Sequence, residues 1–106
     1  MSERNADLPW SQEAEQSVLG ALLLDNAAVE RVAAIVAEGD FYAQAHRAIW
    51  RSMLAIIGRG QPADVITVHE DGGHDLRYLH DLRTGVVSST NAHRYAAIVR
   101  ERSVCG

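Results

Sequence analysis

The segment 9–24 constrains the fold more than any other part of the chain, because it carries the signals of one complete helix. Pro9 disfavours helical backbone angles in the residue before it, so the helix should begin after this proline. Ser11 is a good N-cap residue, since its hydroxyl oxygen can accept a hydrogen bond from a free amide of the first turn. Glu13 and Glu15 place negative charge at the positive end of the helix dipole, and we expect both on the solvated start of this helix.

The same helix carries one apolar face and one small residue within it. The apolar face is formed by residues at helical spacing, namely Val18, Leu19, Leu22 and Leu23. A glycine inside a helix costs about 1 kcal/mol relative to alanine. We therefore predict that Gly20 is there because the backbone of another element packs closely against it.

The composition describes one soluble globular domain. A chain of 106 residues has room for a single domain, which we place at residues 9–103, with a flexible tail at 1–8 and a short tail at 104–106. The net charge of −4 argues against nucleic-acid binding by this domain alone, because phosphate contacts require clustered positive charge. No apolar run approaches the ~18 residues that a membrane span needs.

The single cysteine, Cys105, cannot form an internal disulfide, so a reducing compartment fits and we expect the cytoplasm. The ten basic residues are all arginine, and the sequence contains no lysine. It also lacks a G-x-x-x-x-G-K-[ST] phosphate-binding loop. These 106 residues therefore cannot act as a nucleotide-driven motor.

Two further helices are predicted in the first half of the chain. Asn26 can cap a second helix at about 27–38, which Gly39 would end in the left-handed conformation. A third helix should span 44–57, with a broad apolar face. Together with the first helix these elements supply the predicted core, which also includes Val32, Val36, Phe41, Ile49, Trp50 and Met53.

Residues 65–68 have the propensity of a strand, yet we predict a short helix there. Nothing else in the sequence has a strand pattern with which this segment could pair, and Asp64 is a suitable N-cap. A turn-rich break should follow at 69–74. Helices at 76–82 and 91–103 then complete an all-α bundle of five to six short helices that ends in a helical hairpin.

Several of these segments resemble the N-terminal domain of DnaB-type replicative helicases. The similar residues are Glu13 to Gly20, Asp40-Phe41-Tyr42, the pair His46-Arg47, the pattern Pro-x-Asp-x-x-Thr-Val from Pro62 to Val68, Tyr78 to Leu82, Ser88 to Asn91 and Tyr95 to Glu101. The chain departs from the family between Val68 and Gly73, where the family carries a longer insert. The resemblance implies an all-helical domain whose last two elements form a hairpin that pairs with the hairpin of a neighbouring subunit.

The resemblance also implies a function in DNA replication. In the family this domain collars the hexameric helicase ring, and in some members it receives the primase. We therefore expect a non-catalytic domain without cofactors that forms a homodimer and contacts primase, a helicase loader or the parent helicase ring. Because the last two helices carry more apolar residues than they can bury alone, the predicted interface consists of Leu76, Tyr78, Leu79, Leu82, Tyr95, Ile98 and Val99.

Three alternatives remain open. A stand-alone regulator could bind a helicase collar with the same fold, or the last two helices could fold flat onto the core of one monomer. The third is a metal-dependent hydrolase, suggested by His69, Glu70 and His74. The two histidines are five residues apart, whereas zinc-binding helices place them four apart, so a polar loop is the better interpretation. His46 is interpreted as a structural hydrogen-bonding group at a helix end.

Overall fold

A computed structural model describes residues 11–105, and these residues form six α-helices and two 3₁₀ turns. The helices are α1 (Gln12–Leu24), α2 (Val29–Ala33), α3 (Gln44–Gly58), α4 (Val65–Gly72), α5 (Leu76–Thr84) and α6 (Ala92–Cys105), with 3₁₀ turns at Asn26–Ala28 and Glu38–Asp40. No strand occurs in the described range, so the predicted all-α fold class is confirmed. The tail predicted at 1–8 lies outside the described residues. Of the short tail predicted at 104–106, residues 104 and 105 belong to α6 instead.

Helix α1 lies at the centre of the fold and packs against α3, α5 and α6. It begins as predicted, because the Ser11 hydroxyl accepts a hydrogen bond of 3.2 Å from the Ala14 amide. Its apolar face is completely buried at Val18, Leu19 and Leu22. The last two helices of the described range therefore both pack against α1.

The predicted close approach at Gly20 is confirmed. A Cβ atom on Gly20 would lie only 2.1 Å from the carbonyl oxygen of Leu82 in α5. Real Cβ atoms do not come this close to another atom, so only glycine allows α1 and α5 to pack at this distance.

The predicted second helix at 27–38 is wrong in its length and in both of its end signals. The segment forms a 3₁₀ turn followed by the five-residue α2. Asn26 does not cap a helix, because its side chain is bound to the backbone of Ala63 by hydrogen bonds of 2.8 and 2.9 Å. Asp25 caps the turn instead by accepting from the Ala27 amide. Gly39 lies in the second 3₁₀ turn with an ordinary φ angle.

The helical interpretation of residues 65–68 is confirmed by α4. The Asp64 carboxylate accepts from the Thr67 amide at 2.9 Å, and the Thr67 hydroxyl accepts from the Asp64 amide at 2.8 Å. This reciprocal cap explains how a segment of strand propensity begins a helix. The break predicted from His69 onward starts later, because α4 continues to Gly72 and ends at Gly73 with a φ of 68°.

The ten predicted core residues are all buried at the contacts between the helices: Val18, Leu19, Leu22, Leu23, Val32, Val36, Phe41, Ile49, Trp50 and Met53. The rings of Phe41 and Trp50 pack with centroids 5.4 Å apart. Between residues 11 and 105 no helix has the length and hydropathy to cross a membrane.

Candidate functional site

A groove of about 530 Å³ opens between α1, α5 and α6. The start of α1 lines one wall with Ser11, Glu13, Ala14, Gln16 and Ser17. Helix α5 and the loop after it line the second wall with Tyr78, Asp81, Leu82, Gly85 and Val86. Tyr95 and Ile98 of α6 complete the groove, which thus contains both apolar and acidic groups.

The seven residues predicted as an interface are divided by the structure into two groups. Leu79, Leu82 and Val99 are buried inside the chain, with exposed fractions of 0%, 4% and 1%. Assigning these three side chains to a contact surface is therefore wrong, because α5 and α6 turn them toward the core and α1. The four that keep accessible surface are Leu76, Tyr78, Tyr95 and Ile98, and the last three of these line the groove.

Two carboxylates determine the charge of the groove. Glu13 in α1 and Asp81 in α5 are both exposed residues, and neither forms an ion pair within the described residues. No arginine or histidine of the described range lines the groove. The groove is therefore an acidic surface with an apolar base.

A buried polar network lies directly behind one wall of the groove. Glu15 and His46 are only 1% and 2% exposed. One oxygen of the Glu15 carboxylate lies 2.7 Å from His46 Nδ1, and the other accepts a 2.7 Å hydrogen bond from the Tyr42 amide. The Nε2 atom of His46 lies 2.6 Å from the Tyr78 hydroxyl oxygen, which accepts a hydrogen bond of 3.2 Å from the side-chain Nε2 of Gln16. The network thus joins α1, α3 and α5.

The carboxylate sets the direction of the hydrogen bonds in this network. An ionised Glu15 can only accept, so Nδ1 of His46 carries a proton and donates to it. In the neutral imidazole, Nε2 is then an acceptor, and the Tyr78 hydroxyl donates its proton to Nε2. The buried pair therefore fixes the position of a tyrosine on the groove wall.

The prediction that Glu15 lies on a solvated helix start is wrong, since only Glu13 does so. An acidic residue in the first turn of a helix is well explained by the helix dipole alone, so nothing local in the sequence marks Glu15 as buried. The sequence signal is the combination of Glu15 with His46, 31 residues later. His46 forms structural hydrogen bonds, as predicted, but its partners are the side chains of Glu15 and Tyr78, so the predicted bond to a helix end is wrong.

The histidines of the suggested metal motif make hydrogen bonds within the domain. His69 Nδ1 donates to the His74 carbonyl oxygen at 2.6 Å. His74 Nε2 lies 2.9 Å from the Ser52 hydroxyl. Burial lowers the pKa of His74, and this effect is larger than that of the nearby Asp71 carboxylate, which raises the pKa. Among residues 11–105, no three histidine, cysteine or acidic side chains are placed to hold a metal ion.

A second polar cluster holds the end of α6. Asp40, in the 3₁₀ turn before α3, accepts from the Ser103 hydroxyl, from Arg100 Nη1 at 3.2 Å and from the Ala37 amide at 2.8 Å. Burial of Asp40 opposes its ionisation, but these donors together lower its pKa. The carboxylate thus attaches α6 to the middle of the chain.

The fold and the match to known sequences define the class of this protein. Residues 7–101 match the family model described as the DnaB-like helicase N terminal domain. Since this match spans most of the chain, the chain belongs to that family. The crystal structure of the N-terminal domain of DnaB helicase from Mycobacterium tuberculosis superposes with a TM-score of 0.87 and 38% identity over 91% of this chain and 74% of that chain.

Two relatives show how much of a longer protein the chain represents. It is 42% identical to the replicative DNA helicase DnaB of Geobacillus stearothermophilus, over 91% of this chain and 23% of that protein. It is 38% identical to the replicative DNA helicase DnaB of Buchnera aphidicola subsp. Baizongia pistaciae, over 96% of this chain and 24% of that protein. The chain therefore spans about a quarter of the length of the curated relatives it matches.

Proposed function

We propose that this chain is a non-catalytic assembly and docking domain of a DnaB-like replicative helicase in the cytoplasm. In this proposal it works by contacting other proteins, both by forming a homodimer and by binding primase or a helicase loader. The observation that carries the proposal is the accessible surface of α5 and α6 on a domain of this family. Leu76 is 40% exposed and Ile98 is 37% exposed, and in this proposal both apolar side chains are covered by protein partners.

The described side chains favour binding over catalysis. Among the described residues, the serine or threonine hydroxyl that lies beside an imidazole is that of Ser52, next to His74. Ser52 is only 7% exposed, so a substrate cannot reach its hydroxyl oxygen. A hydrolase needs a nucleophile that opens into a cleft, and no serine–histidine pair of the described residues lines the groove.

The dimer can be tested by multi-angle light scattering of the purified chain over a range of concentrations. We expect a dimer, and we expect Leu76→Asp to convert it into a monomer, because the charge would enter an apolar contact. Val87→Asp is the matched control, since Val87 is 99% exposed in the loop between α5 and α6. A wild-type chain that stays monomeric at every concentration would contradict the homodimer.

Partner binding needs a separate measurement. Purified primase and purified helicase loader from the same organism are each passed over the immobilised chain, and we expect at least one to bind. The net charge of −4 predicts no binding of single- or double-stranded DNA in the same assay. Failure of both proteins to bind would contradict the docking role. Entry of the free chain into assembled helicase rings would instead favour a regulator that binds the collar.

A further inference from the structure

We infer that the groove between α1, α5 and α6 docks a basic amphipathic helix of a partner protein. The inference rests on the proposed docking function, since it names the surface and the chemistry of the partner. It assigns the groove to that partner and leaves Leu76, which lies outside the groove, for pairing between copies.

The apolar base of the groove suits an amphipathic helix. Tyr95 and Ile98 of α6 form one side, and Val86 forms part of the other. Ile98 keeps 37% of its surface accessible although its neighbours Ala96 and Val99 are buried. An amphipathic helix binds such a groove by placing its apolar side chains, which recur at i, i+3, i+4 and i+7, on the base.

The charge of the groove indicates the polar face of that helix. Glu13 and Asp81 lie on opposite walls, and neither carboxylate has an ion-pair partner within residues 11–105. No described cationic side chain lines the groove to balance them. Arginine or lysine residues flanking the apolar stripe would supply the complementary charge.

The buried network holds the Tyr78 hydroxyl at the groove. The hydroxyl lies 2.6 Å from His46 Nε2 and accepts a hydrogen bond from the side-chain amide of Gln16. The carboxylates of Glu13 and Asp81 accept hydrogen bonds, and arginine and lysine have only donors.

A second copy of this chain is a poorer occupant. Copies related by two-fold symmetry contact each other through the same surface. Pairing through the groove would bring Glu13 and Asp81 of one copy toward the same carboxylates of the other. Like charges at an interface cost free energy, so the groove favours a partner of opposite charge.

The test measures the fluorescence anisotropy of a labelled helical peptide added to the full 106-residue chain. The peptide has about five helical turns, with leucines along one face and arginines on either side of them. A matched peptide carries glutamate in place of arginine. We expect the arginine peptide to bind, to bind more weakly as ionic strength rises, and the glutamate peptide not to bind.

Two pairs of variants locate the binding. Glu13→Gln with Asp81→Asn should weaken binding of the arginine peptide by roughly 3- to 10-fold. The control, Glu30→Gln with Glu70→Gln, changes the net charge equally at exposed acids outside the groove and should leave binding unchanged. Ile98→Asn should weaken binding by about 10-fold or more, whereas Val87→Asn should not, and circular dichroism checks that each variant is folded.

The inference is overturned if both peptides bind equally well, or if the control pair of variants loses as much affinity as the groove pair. It is also overturned if the groove variants convert a dimer into a monomer, because a second copy would then occupy the groove. An affinity gain of about 10-fold on deleting residues 1–9 would overturn it too, because the chain's own amino-terminal segment would then occupy the groove. If primase or loader binds the wild type and the groove variants equally well, the groove assignment fails while the docking function stands.

Discussion

The backbone of Gly20 lies directly against the carbonyl group of Leu82, so α1 and α5 touch at a point that has no room for a side chain. Substitution Gly20→Ala would normally stabilise a helix by up to about 1 kcal/mol. Here the added methyl group must push two backbones apart, and overpacking of this kind costs about 1 to 3 kcal/mol. We therefore expect a net loss of stability in urea denaturation.

Gly58 provides the matched control for this prediction. It also lies in a helix, and nothing approaches within 4 Å of the position of its Cβ atom. Gly58→Ala should leave stability unchanged or raise it slightly, by up to about 1 kcal/mol. If the two variants have the same midpoint, the close approach of α1 and α5 does not limit the choice of residue at Gly20.

The buried carboxylate of Glu15 should be far more important for stability than an exposed one. Glu15→Gln replaces one carboxylate oxygen with an NH₂ group, which is a donor. This group would face either His46 Nδ1 or the Tyr42 backbone amide, and both of these are donors in the wild type. Leaving buried donors without acceptors should cost about 2 to 3 kcal/mol in the free energy of unfolding.

The control for Glu15 is Glu38→Gln, which removes an exposed ion pair with Arg51. Exposed pairs contribute little to stability, so the melting temperature of this variant should stay close to that of the wild type. Equal shifts for the two variants would contradict the importance of the buried network.

The partial burial of His74 predicts a pH dependence of stability. Burial lowers the pKa of His74 below its ordinary value of 6.5, so the folded chain keeps this imidazole neutral at a pH where the unfolded chain protonates it. The free energy of unfolding should hold its full value above pH 6.5 and fall as the pH decreases below it, until the lower folded pKa is reached. Denaturation of wild type and His74→Gln across this range tests the prediction, because the variant should lose part of the slope.

The contacts of Asp40 predict local protection of the end of α6. Asp40→Asn removes the charge that holds Arg100 and Ser103, and should cost about 1 kcal/mol. Amide hydrogen exchange should accelerate in the last turns of α6, whereas Glu101→Gln, an exposed change on the same helix, should not alter it. Because the pKa of Asp40 is lowered, its contribution is present above the ordinary value of 3.8 and is lost as the pH falls through the lower folded pKa.

The parts of the fold that could be predicted depend on local signals. The cap at Ser11, the small residue at Gly20 and the cap at Asp64 act within one helix or at one contact, and each is found where the sequence places it. The second helix could not be predicted, because Asn26 is held by Ala63, 37 residues away. A residue with good local capping chemistry was used for a long-range contact.

The candidate site was predicted only in part for the same reason. Apolar residues at helical spacing identified α5 and α6, but the spacing does not say which neighbour covers each residue. Helix α1 covers these helices, so Leu79 and Leu82 are buried while Leu76 remains accessible. The acidic residues of the groove and the network behind Tyr78 come from helices that are far apart in the sequence. They meet only in the folded chain, so no single segment of the sequence could predict them.

The central position of α1 has a consequence for the synthesis of the protein. Its contacts with α5 and α6 join a helix that is synthesised early in the described range to the last two helices of that range. Closing so long a loop is slow compared with forming a single helix, and it cannot happen before α6 has left the exit tunnel. Until then the nascent chain carries the uncovered leucines of α1, and chaperones that bind apolar segments can reach them.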